Sequence, residues 1–214
     1  MDWSRSVADY YRRYGKRLFD VVGASTLLLA TAPITAVAAL GVWLDVGTPV
    51  LFRQARAGLH GQGFILYKFR SMKEGRDSSG RELPDAQRVT SWGQLLRGTS
   101  VDELPELWNV LRGDMSLVGP RPLLPEYLEF YTPDQSRRHL VRPGLTGIAQ
   151  VSGRNATTWD QRLSLDYRYV DELSWVLDVK ILLRTVQVVL SRSGISNLEL
   201  QPFDVAVRGE SNVA

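Results

Sequence analysis

The residues best suited to chemistry in this sequence are two adjacent carboxylates, Asp102 and Glu103, at the start of a predicted amphipathic helix. Pro105 indicates where that helix begins, because proline is tolerated only in the first helical turn. Asp102 therefore lies at or just before the first turn, where the helix dipole favours a negative charge. Such a pair can supply a nucleophile or bind a divalent cation. The alternative is an ordinary capping box, in which Ser100 and Glu103 stabilise the helix start.

Four arginines lie in or beside turn-rich segments on either side of the carboxylate pair. They are Arg97, Arg121 in GPRP, Arg142 in RPG and Arg154 in GRN. A guanidinium group binds two phosphate oxygens at once, and turns bring backbone N–H groups close to such oxygens. One such arginine would indicate only a solvated surface residue. Four of them near a carboxylate pair predict a site that binds a divalent cation, holds a pyrophosphate and attacks it.

The composition of the 214-residue chain excludes several other kinds of site. The absence of Cys excludes disulfides, thiolate metal sites and a cysteine nucleophile. The two histidines, His60 and His139, are too few for a three-histidine metal site. Neither of the common glycine-rich nucleotide motifs occurs. A net charge of +3 and a pI of about 9.3 favour an anionic partner, which phosphate, nucleic acid and lipid headgroups would all satisfy.

A long uncharged segment precedes these residues and indicates contact with a membrane. Residues 21–44 carry no charge, and as a straight helix they would extend roughly 36 Å, against about 30 Å for a hydrocarbon core. The segment is too long, and begins too far into the chain, for a cleaved signal peptide. A buried core helix is the alternative, although a domain of this size seldom needs a helix that is apolar on every face.

Both flanks of this segment are basic, and Pro33 lies near its middle. The positive-inside rule places basic flanks in the cytoplasm, so both ends are expected on the same side. Proline also removes a backbone hydrogen bond and kinks a helix. We therefore predict a re-entrant helix over about 17–46 that bends near Pro33 and leaves by the face it entered; a true span is the alternative. The flanking basic side chains are Arg12, Arg13, Lys16, Arg17, Arg53, Arg56, Lys68 and Arg70.

The rest of the sequence predicts an α+β fold, a mainly helical globular domain with a small β-hairpin. Two strands within 49–70 flank a Gly-rich turn, and a polar loop follows at 73–90. We expect a membrane-associated segment over 1–48, a cytoplasmic domain over 49–198 and a flexible tail over 199–214. Segment 113–125, rich in Gly and Pro, is predicted to be mostly irregular, and 142–147 is predicted to be rich in turns. Helices are predicted at 91–97, 102–112, 125–132, 134–140, 158–170 and 175–192.

Long motifs in a fixed order cover most of the chain, from about residue 14 to residue 198. They are KRxxD at 16–20, PVLFRQARAGLHGQGF at 49–64, KFRSM at 68–72, TSVDELPELWNVLRGDMSLVGPRP at 99–122, RPGLTGIAQVSGRN at 142–155, YRYVDE at 167–172 and LDVKILLRT at 177–185. In this order they resemble the small bacterial sugar transferases. These are monotopic phosphoglycosyl transferases, which load a sugar phosphate onto a polyprenyl phosphate carrier.

The resemblance implies roles for particular residues. Asp102 would be the nucleophile and Glu103 its partner, the two holding Mg²⁺ between them. Pro33 matches the proline that breaks the family's re-entrant helix. Positions that the family places around the substrate are matched by Lys68, Arg97, Arg121, Arg154 and Asp178, and Arg142 in RPG is expected to bind phosphate.

Two positions depart from the family's pattern. Ala32 precedes the proline where the family usually has Ser, so a hydroxyl that supports the bend must come from elsewhere. Ile148 stands where an aromatic residue is common, which concerns the local surface rather than the chemistry.

The resemblance also implies a two-step reaction at the cytoplasmic face of the bacterial inner membrane. Asp102 attacks the phosphorus that bears the sugar in a UDP-sugar, UMP leaves, and polyprenyl (undecaprenyl) phosphate then takes the sugar phosphate from the aspartyl intermediate. The sugar, the glycoconjugate pathway and the oligomeric state stay open. The segments 73–90 and 123–140 are where we expect sugar specificity.

Two other classes of protein fit parts of the sequence. A non-enzymatic peripheral membrane or scaffold protein would use the basic loops to bind anionic lipid, and it has no need of the carboxylate pair. A nucleic-acid binder would account for the basic charge, but no known nucleic-acid-binding motif is present, and no nucleic-acid partner is expected.

The topology can be tested with single cysteines, because the natural chain has none. Cysteines placed at position 3 and within 74–82 should both be protected from a membrane-impermeant thiol reagent added to the periplasmic side, since both flanks are predicted to be cytoplasmic. Labelling of one position and not of the other would establish a true span.

Overall fold

The computed structural model describes residues 10–152, residues 158–191 and Phe203. A π-helical turn at Tyr11–Gly15 leads into the first helix, and 3₁₀ turns occur at Leu59–Gly61, Val101–Glu103, Pro125–Phe130 and Arg137–Leu140. In chain order the helices and strands are α1 (Lys16–Asp45), β1 (Leu51–Ala57), β2 (Gly63–Phe69), α2 (Asp85–Arg88), α3 (Ser91–Thr99), α4 (Glu106–Arg112), β3 (Ser116–Val118), α5 (Pro133–Ser136), β4 (Gly144–Thr146), α6 (Ile148–Val151), α7 (Trp159–Glu172) and α8 (Trp175–Leu190).

The long helix α1 is apolar and mostly exposed. Together with the turn before it, α1 is long and apolar enough to cross a membrane, and it is the one such helix within the described residues. Only 11% of its most apolar 18-residue stretch is buried inside the protein. Side chains such as Leu29 and Leu44 are 79% and 70% exposed. The helix continues through Pro33 to Asp45, so the re-entrant bend stays a prediction. Exposure of this extent does not fit a buried core helix and makes membrane association plausible.

The N-terminal half of α1 is fixed to the rest of the protein by polar contacts. Asp20, which is 1% exposed, accepts hydrogen bonds from the Ser116 hydroxyl (2.9 Å) and from the Leu117 backbone N–H (3.1 Å). Arg17 donates to the backbone oxygens of Val110 and Leu111 at 2.6 and 2.7 Å, which satisfies carbonyls at the end of α4. Helix α1, helix α4 and strand β3 are therefore packed as one unit at this end.

The predicted β-hairpin is present. Strands β1 and β2 pair antiparallel, from Leu51 opposite Phe69 to Ala57 opposite Gly63. The side chain of Asn109 on α4 closes the free edge of β2, because its amide donates to the Ile65 oxygen (2.7 Å) and accepts from the Tyr67 N–H (3.2 Å). This contact fixes the middle of β2 against the middle of α4.

A short parallel pair, β3 with β4, lies in the two segments rich in Gly and Pro. Most of 113–125 is irregular, as predicted, but Gly144–Thr146 forms a strand within the segment predicted to be turn-rich. Three-residue strands are too short to show an alternating pattern, and their partners lie far apart in the chain. Ser116 pairs with Gly144 and Val118 with Thr146. The two backbones approach so closely that a Cβ on Gly144 would stand 2.1 Å from the Gly119 nitrogen. Glycine is required here because it has no side chain.

Several predicted boundaries also shift. The helix predicted over 102–112 begins only at Glu106, after a separate 3₁₀ turn at Val101–Glu103. The helix predicted over 125–132 is a 3₁₀ turn, and the one predicted over 134–140 divides between α5 and another 3₁₀ turn. The helices predicted at 91–97, 158–170 and 175–192 are confirmed as α3, α7 and α8, and the 73–90 loop contains only the single turn α2.

The predicted flexible tail lies outside the described residues, with one exception. Phe203 is 2% exposed and packs against the rings of Tyr127 and Trp159, with centroid distances of 5.5 and 5.2 Å. The division into a membrane segment, a catalytic domain and a tail stays a prediction.

The close contact between β3 and β4 predicts the effect of adding one methyl group. Gly144→Ala should lower the free energy of unfolding by about 1–3 kcal/mol, because the Gly119 backbone must move. Gly98→Ala is the matched control: its Cβ meets nothing within 4 Å in α3, so it should raise stability by roughly 0.5–1 kcal/mol. Thermal unfolding of the detergent-solubilised variants measures both, and equal stability of the two variants would contradict the close packing.

Candidate active site

The predicted carboxylate pair lies on the 3₁₀ turn between α3 and α4. Ser100, just before it, adopts the left-handed conformation (φ 56°) and turns the chain sharply away from α3. The Ser100 side chain makes no capping hydrogen bond to this turn; the Glu103 N–H bonds instead to the Ser100 backbone oxygen at 3.2 Å. The capping-box alternative is therefore wrong. Asp102 and Glu103 keep their carboxylates for other contacts.

Glu103 is bound by two cations that come from distant parts of the chain. Lys68, at the end of β2, donates to Glu103 Oε1 at 2.6 Å, and Arg121, just after β3, donates to the same oxygen at 3.1 Å. The Lys68 ammonium also forms an ion pair with Glu106 Oε1 at 3.0 Å. Glu106 was not predicted from the sequence. Its spacing of three residues from Glu103 is the signal that would have indicated a shared helical face.

The surroundings of Glu103 and Glu106 shift the pKa values of these two carboxyl groups in opposite directions. Burial raises the pKa of Glu106 to about 7, and the negative charge of Glu103 adds to the increase. Burial acts on Glu103 in the same sense, but Lys68 and Arg121 outweigh it and hold the pKa of Glu103 at about 2. The pKa of Lys68 is raised, because Glu103 and Glu106 more than offset its burial. Glu103 is thus ionised and paired at neutral pH, while Glu106 titrates there.

Asp102 differs from its neighbour because it has no hydrogen-bond or ion-pair partner within the described part of the chain. It is half-buried, and burial together with the charge of Glu103 raises its pKa. Lys68, Arg97 and Arg121 act in the opposite direction through longer-range attraction. A carboxylate that is partly desolvated and unpaired, yet surrounded by cations, is suited to nucleophilic attack or to metal binding.

The carboxylate pair opens into one large cavity of about 1740 Å³. Its polar part is lined by Lys68, Arg97 and Arg121, and Arg97 is fixed there by a 2.9 Å hydrogen bond from Nε to the Ser71 hydroxyl. Its apolar part lies between α1 and α8 and is lined by Phe19, Gly23, Leu27, Leu182, Val186 and Val189. One cavity therefore combines a cationic part with an apolar part.

Other predicted site residues do not reach this cavity. Arg142 donates from Nε to the Gly113 oxygen at 2.8 Å, which holds the loop after α4, and it does not line the cavity. Asp178 is fully buried and accepts from the Tyr169 hydroxyl at 2.7 Å, while Lys16 forms an ion pair with it at 2.7 Å. Neither side chain lines this cavity, so the expected binding of phosphate by Arg142 and the expected place of Asp178 around the substrate stay predictions that the cavity does not support. Arg154 lies outside the described residues.

The residues present are compatible with Mg²⁺, although the described residues contain no group of three or more His, Asp or Glu side chains that could hold a metal ion. Mg²⁺ keeps several waters and is commonly bound by one or two carboxylates together with substrate phosphates. The unpaired Asp102 carboxylate and the second oxygen of Glu103 supply that minimal donor set.

The raised pKa of Glu106 predicts a pH dependence of stability. Between about pH 4.5 and pH 7 the folded state keeps a proton on Glu106 that the unfolded state has lost, so the contribution of Glu106 to the free energy of unfolding falls as pH rises. Burial lowers the pKa of His139 to about 4, and this group contributes in the opposite direction up to about pH 6.5. Glu106→Gln should remove this fall, which is on the order of 1–3 kcal/mol. Unfolding measured across pH 5–8 tests this. The exposed Glu129→Gln should keep the wild-type dependence, and an unchanged slope in Glu106→Gln would show that Glu106 is not the group responsible.

Comparison with known proteins identifies the family of this chain. The model of the family described as "Bacterial sugar transferase" matches residues 11–192. The uncharacterized sugar transferase EpsL of Bacillus subtilis is 54% identical over 84% of this chain and 89% of its own length. The UDP-glucose:undecaprenyl-phosphate glucose-1-phosphate transferase of Caulobacter vibrioides is 44% identical over 82% of this chain and 70% of its own length. The undecaprenyl-phosphate galactose phosphotransferase of Salmonella typhimurium is 40% identical over 85% and 42%.

The family match covers most of the chain and includes the carboxylate pair and every cavity cation described above. A non-enzymatic scaffold does not fit this result. The chain belongs to the bacterial sugar transferase family and is a transferase.

Proposed function

We propose that this protein moves a sugar 1-phosphate from a UDP-sugar to polyprenyl (undecaprenyl) phosphate. The observation that carries the proposal is the unpaired Asp102 carboxylate, set among cations in a cavity that continues between two apolar helices. The names of the Caulobacter and Salmonella relatives support undecaprenyl phosphate as the acceptor, and the first of them supports a UDP-sugar as the donor. Glucose and galactose both occur among these names, so the sugar itself stays open.

In the first step, an Asp102 oxygen attacks the phosphorus that carries the sugar. The bond between this phosphorus and the bridging oxygen of the diphosphate breaks, and UMP leaves with the electron pair. Arg97 and Arg121, which line the cavity, offset the negative charge that gathers on the phosphate oxygens. Lys68 and Arg121 keep Glu103 ionised and fixed, so Asp102 is the carboxylate left free to react.

Mg²⁺ fits the same arrangement. Asp102 and Glu103 would hold it together with the donor diphosphate, and it would supply further neutralisation of phosphate charge. Lys68 and Arg121 both bind Oε1 of Glu103, which leaves Oε2 for the metal ion. Removal of the Glu103 carboxylate should therefore weaken Mg²⁺ binding.

In the second step, a phosphate oxygen of the polyprenyl phosphate attacks the aspartyl-phosphosugar. The bond between Asp102 and the phosphorus breaks, which restores the carboxylate and gives the polyprenyl-diphospho-sugar. The apolar part of the cavity, between α1 and α8, suits the isoprenoid chain of this acceptor. A covalent intermediate lets a water-soluble donor and a lipid acceptor use one site in turn.

This chemistry requires a site at a membrane surface. We propose that α1 is a re-entrant helix that bends near Pro33 and holds the cavity at the cytoplasmic face of the bacterial inner membrane. The exposed apolar surface of α1 and the basic residues on both of its flanks support this placement. Lipid phosphate would then lie at the depth of the cavity.

The proposed role of Asp102 predicts a covalent intermediate. Wild-type protein incubated with the correct UDP-sugar and Mg²⁺, without lipid acceptor, should release UMP and carry a phosphosugar on Asp102, which peptide mass spectrometry locates. Asp102→Asn should lose turnover by about 10³-fold or more and form no adduct, because an amide is not an effective nucleophile.

Asp134→Asn is the matched control, because Asp134 is also a helix-start carboxylate but is exposed and away from the cavity. It should cost at most about 1 kcal/mol of stability and leave turnover unchanged. An adduct on another residue, or near wild-type turnover in Asp102→Asn, would refute the assignment.

A further inference from the structure

A buried ion pair lies behind the polar part of the cavity. Arg138 donates to Asp166 Oδ2 from Nε at 3.0 Å and from Nη2 at 2.7 Å. The two side chains are 2% and 6% exposed, although they belong to the cavity wall. A buried pair of this kind is costly to desolvate and often adds no net stability over well-packed apolar side chains.

Arg138 also contacts the backbone of the residue that binds Glu103. Its Nη2 donates to the Arg121 backbone oxygen at 2.6 Å, and its Nη1 donates to the Tyr131 hydroxyl at 3.3 Å. Four of its five N–H groups are therefore used within the protein. Arg138 has little capacity left to bind a substrate, which argues against a direct contact.

The backbone before Arg121 is held by β4. The Gly119 N–H donates to the Thr146 oxygen, and the Gly144 N–H donates to the Pro120 oxygen, each at 2.8 Å. These bonds end at residue 120, and the contact from Arg138 comes at the next carbonyl. Beyond that carbonyl the Arg121 guanidinium, about half-exposed, reaches Glu103 at 3.1 Å.

We propose that Arg138, oriented by Asp166, is a positioning residue that fixes the direction in which Arg121 enters the active site. The inference rests on the proposed function, since it assigns Arg138 to the placement of a group that stabilises phosphate charge. A guanidinium displaced by about 1 Å loses much of its effect on a transition state.

Removal of the whole pair separates positioning from stability. Arg138→Met with Asp166→Leu eliminates both charges of the buried pair together, so thermal stability should stay near the wild-type value. Arg162, which Asp166 also attracts, is only partly buried and keeps contact with solvent. The hydrogen bond to the Arg121 oxygen is lost in this double variant. We expect kcat of the overall transfer to fall by about 10- to 100-fold, with a smaller change in KM for the donor.

The neighbouring exposed pair provides the control. Arg137 and Asp171 join the same two elements, the Arg137–Leu140 turn and α7, but they are 39% and 53% exposed. Arg137→Met with Asp171→Leu should leave kcat and KM unchanged. This control removes an ion pair of the same residue types without touching the Arg121 backbone.

A double-mutant cycle with Arg121→Met tests whether Arg138 acts through Arg121. If it does, the Arg138–Asp166 double variant should cause less than a twofold further loss when Arg121 is already replaced. A full 10- to 100-fold further loss, or wild-type kcat in a folded double variant, would overturn the proposal.

Two further measurements address a double variant that does not fold and a failure of the proposed chemistry itself. If the double variant does not fold, Arg138→Lys keeps the charge opposite Asp166 but loses the fork that reaches the Arg121 oxygen, and the same cycle applies with the same criteria. The aspartyl adduct is measured separately on wild-type protein. Its absence would count against the proposed chemistry, whereas the cycle reports on Arg138 through overall transfer alone.

Discussion

The arrangement of the site depends on the ion pairs that Lys68 makes with Glu103 and Glu106. Three carboxylates, those two and Asp102, lie within five residues, where burial and mutual repulsion oppose ionisation. Lys68 lies between Glu103 and Glu106 at 2.6 and 3.0 Å, and Arg121 adds a second cation on Glu103. Without these cations, ionised carboxylates could not be kept together at this depth.

Much of the surrounding fold serves to bring those two cations to one turn. The β-hairpin carries Lys68, and the Asn109 side chain fixes the edge of β2 against α4. The parallel pair of β3 and β4 carries Arg121. The left-handed residue Ser100 turns the chain so that the carboxylates leave α3 and meet both cations. Pairing satisfies Glu103, and this leaves Asp102 as the free carboxylate in the cavity.

Helix α1 connects this site to the apolar side of the molecule. Its N-terminal half packs against β3 through Asp20 and Ala24, and its C-terminal half packs against Phe69 and Leu96 through Ala38 and Val42. Most of its remaining surface is exposed and apolar. The same helix lines the cavity with Gly23 and Leu27. An apolar, largely exposed helix that is also part of the cavity wall places the cationic part of the cavity beside an apolar surface, as the proposed reaction between a soluble and a lipid substrate requires.

The sequence alone determined the features that depend on local pattern and residue type. The apolar helix follows from an uncharged run, the hairpin from alternation around a Gly-rich turn, and the carboxylate pair from adjacent acidic residues before Pro105. Tertiary structure decided which cations reach the pair. Arg121 and Lys68 bind Glu103, whereas Arg142 binds the loop after α4. Asp178, which was also predicted to lie around the site, is buried in a polar network beside α1. Glu106 and Arg138 were identified only in the structure. The reason is physical: Lys68 is 35 residues from Glu103 and Arg138 is 28 from Asp166, and packing, not spacing in the chain, sets such distances.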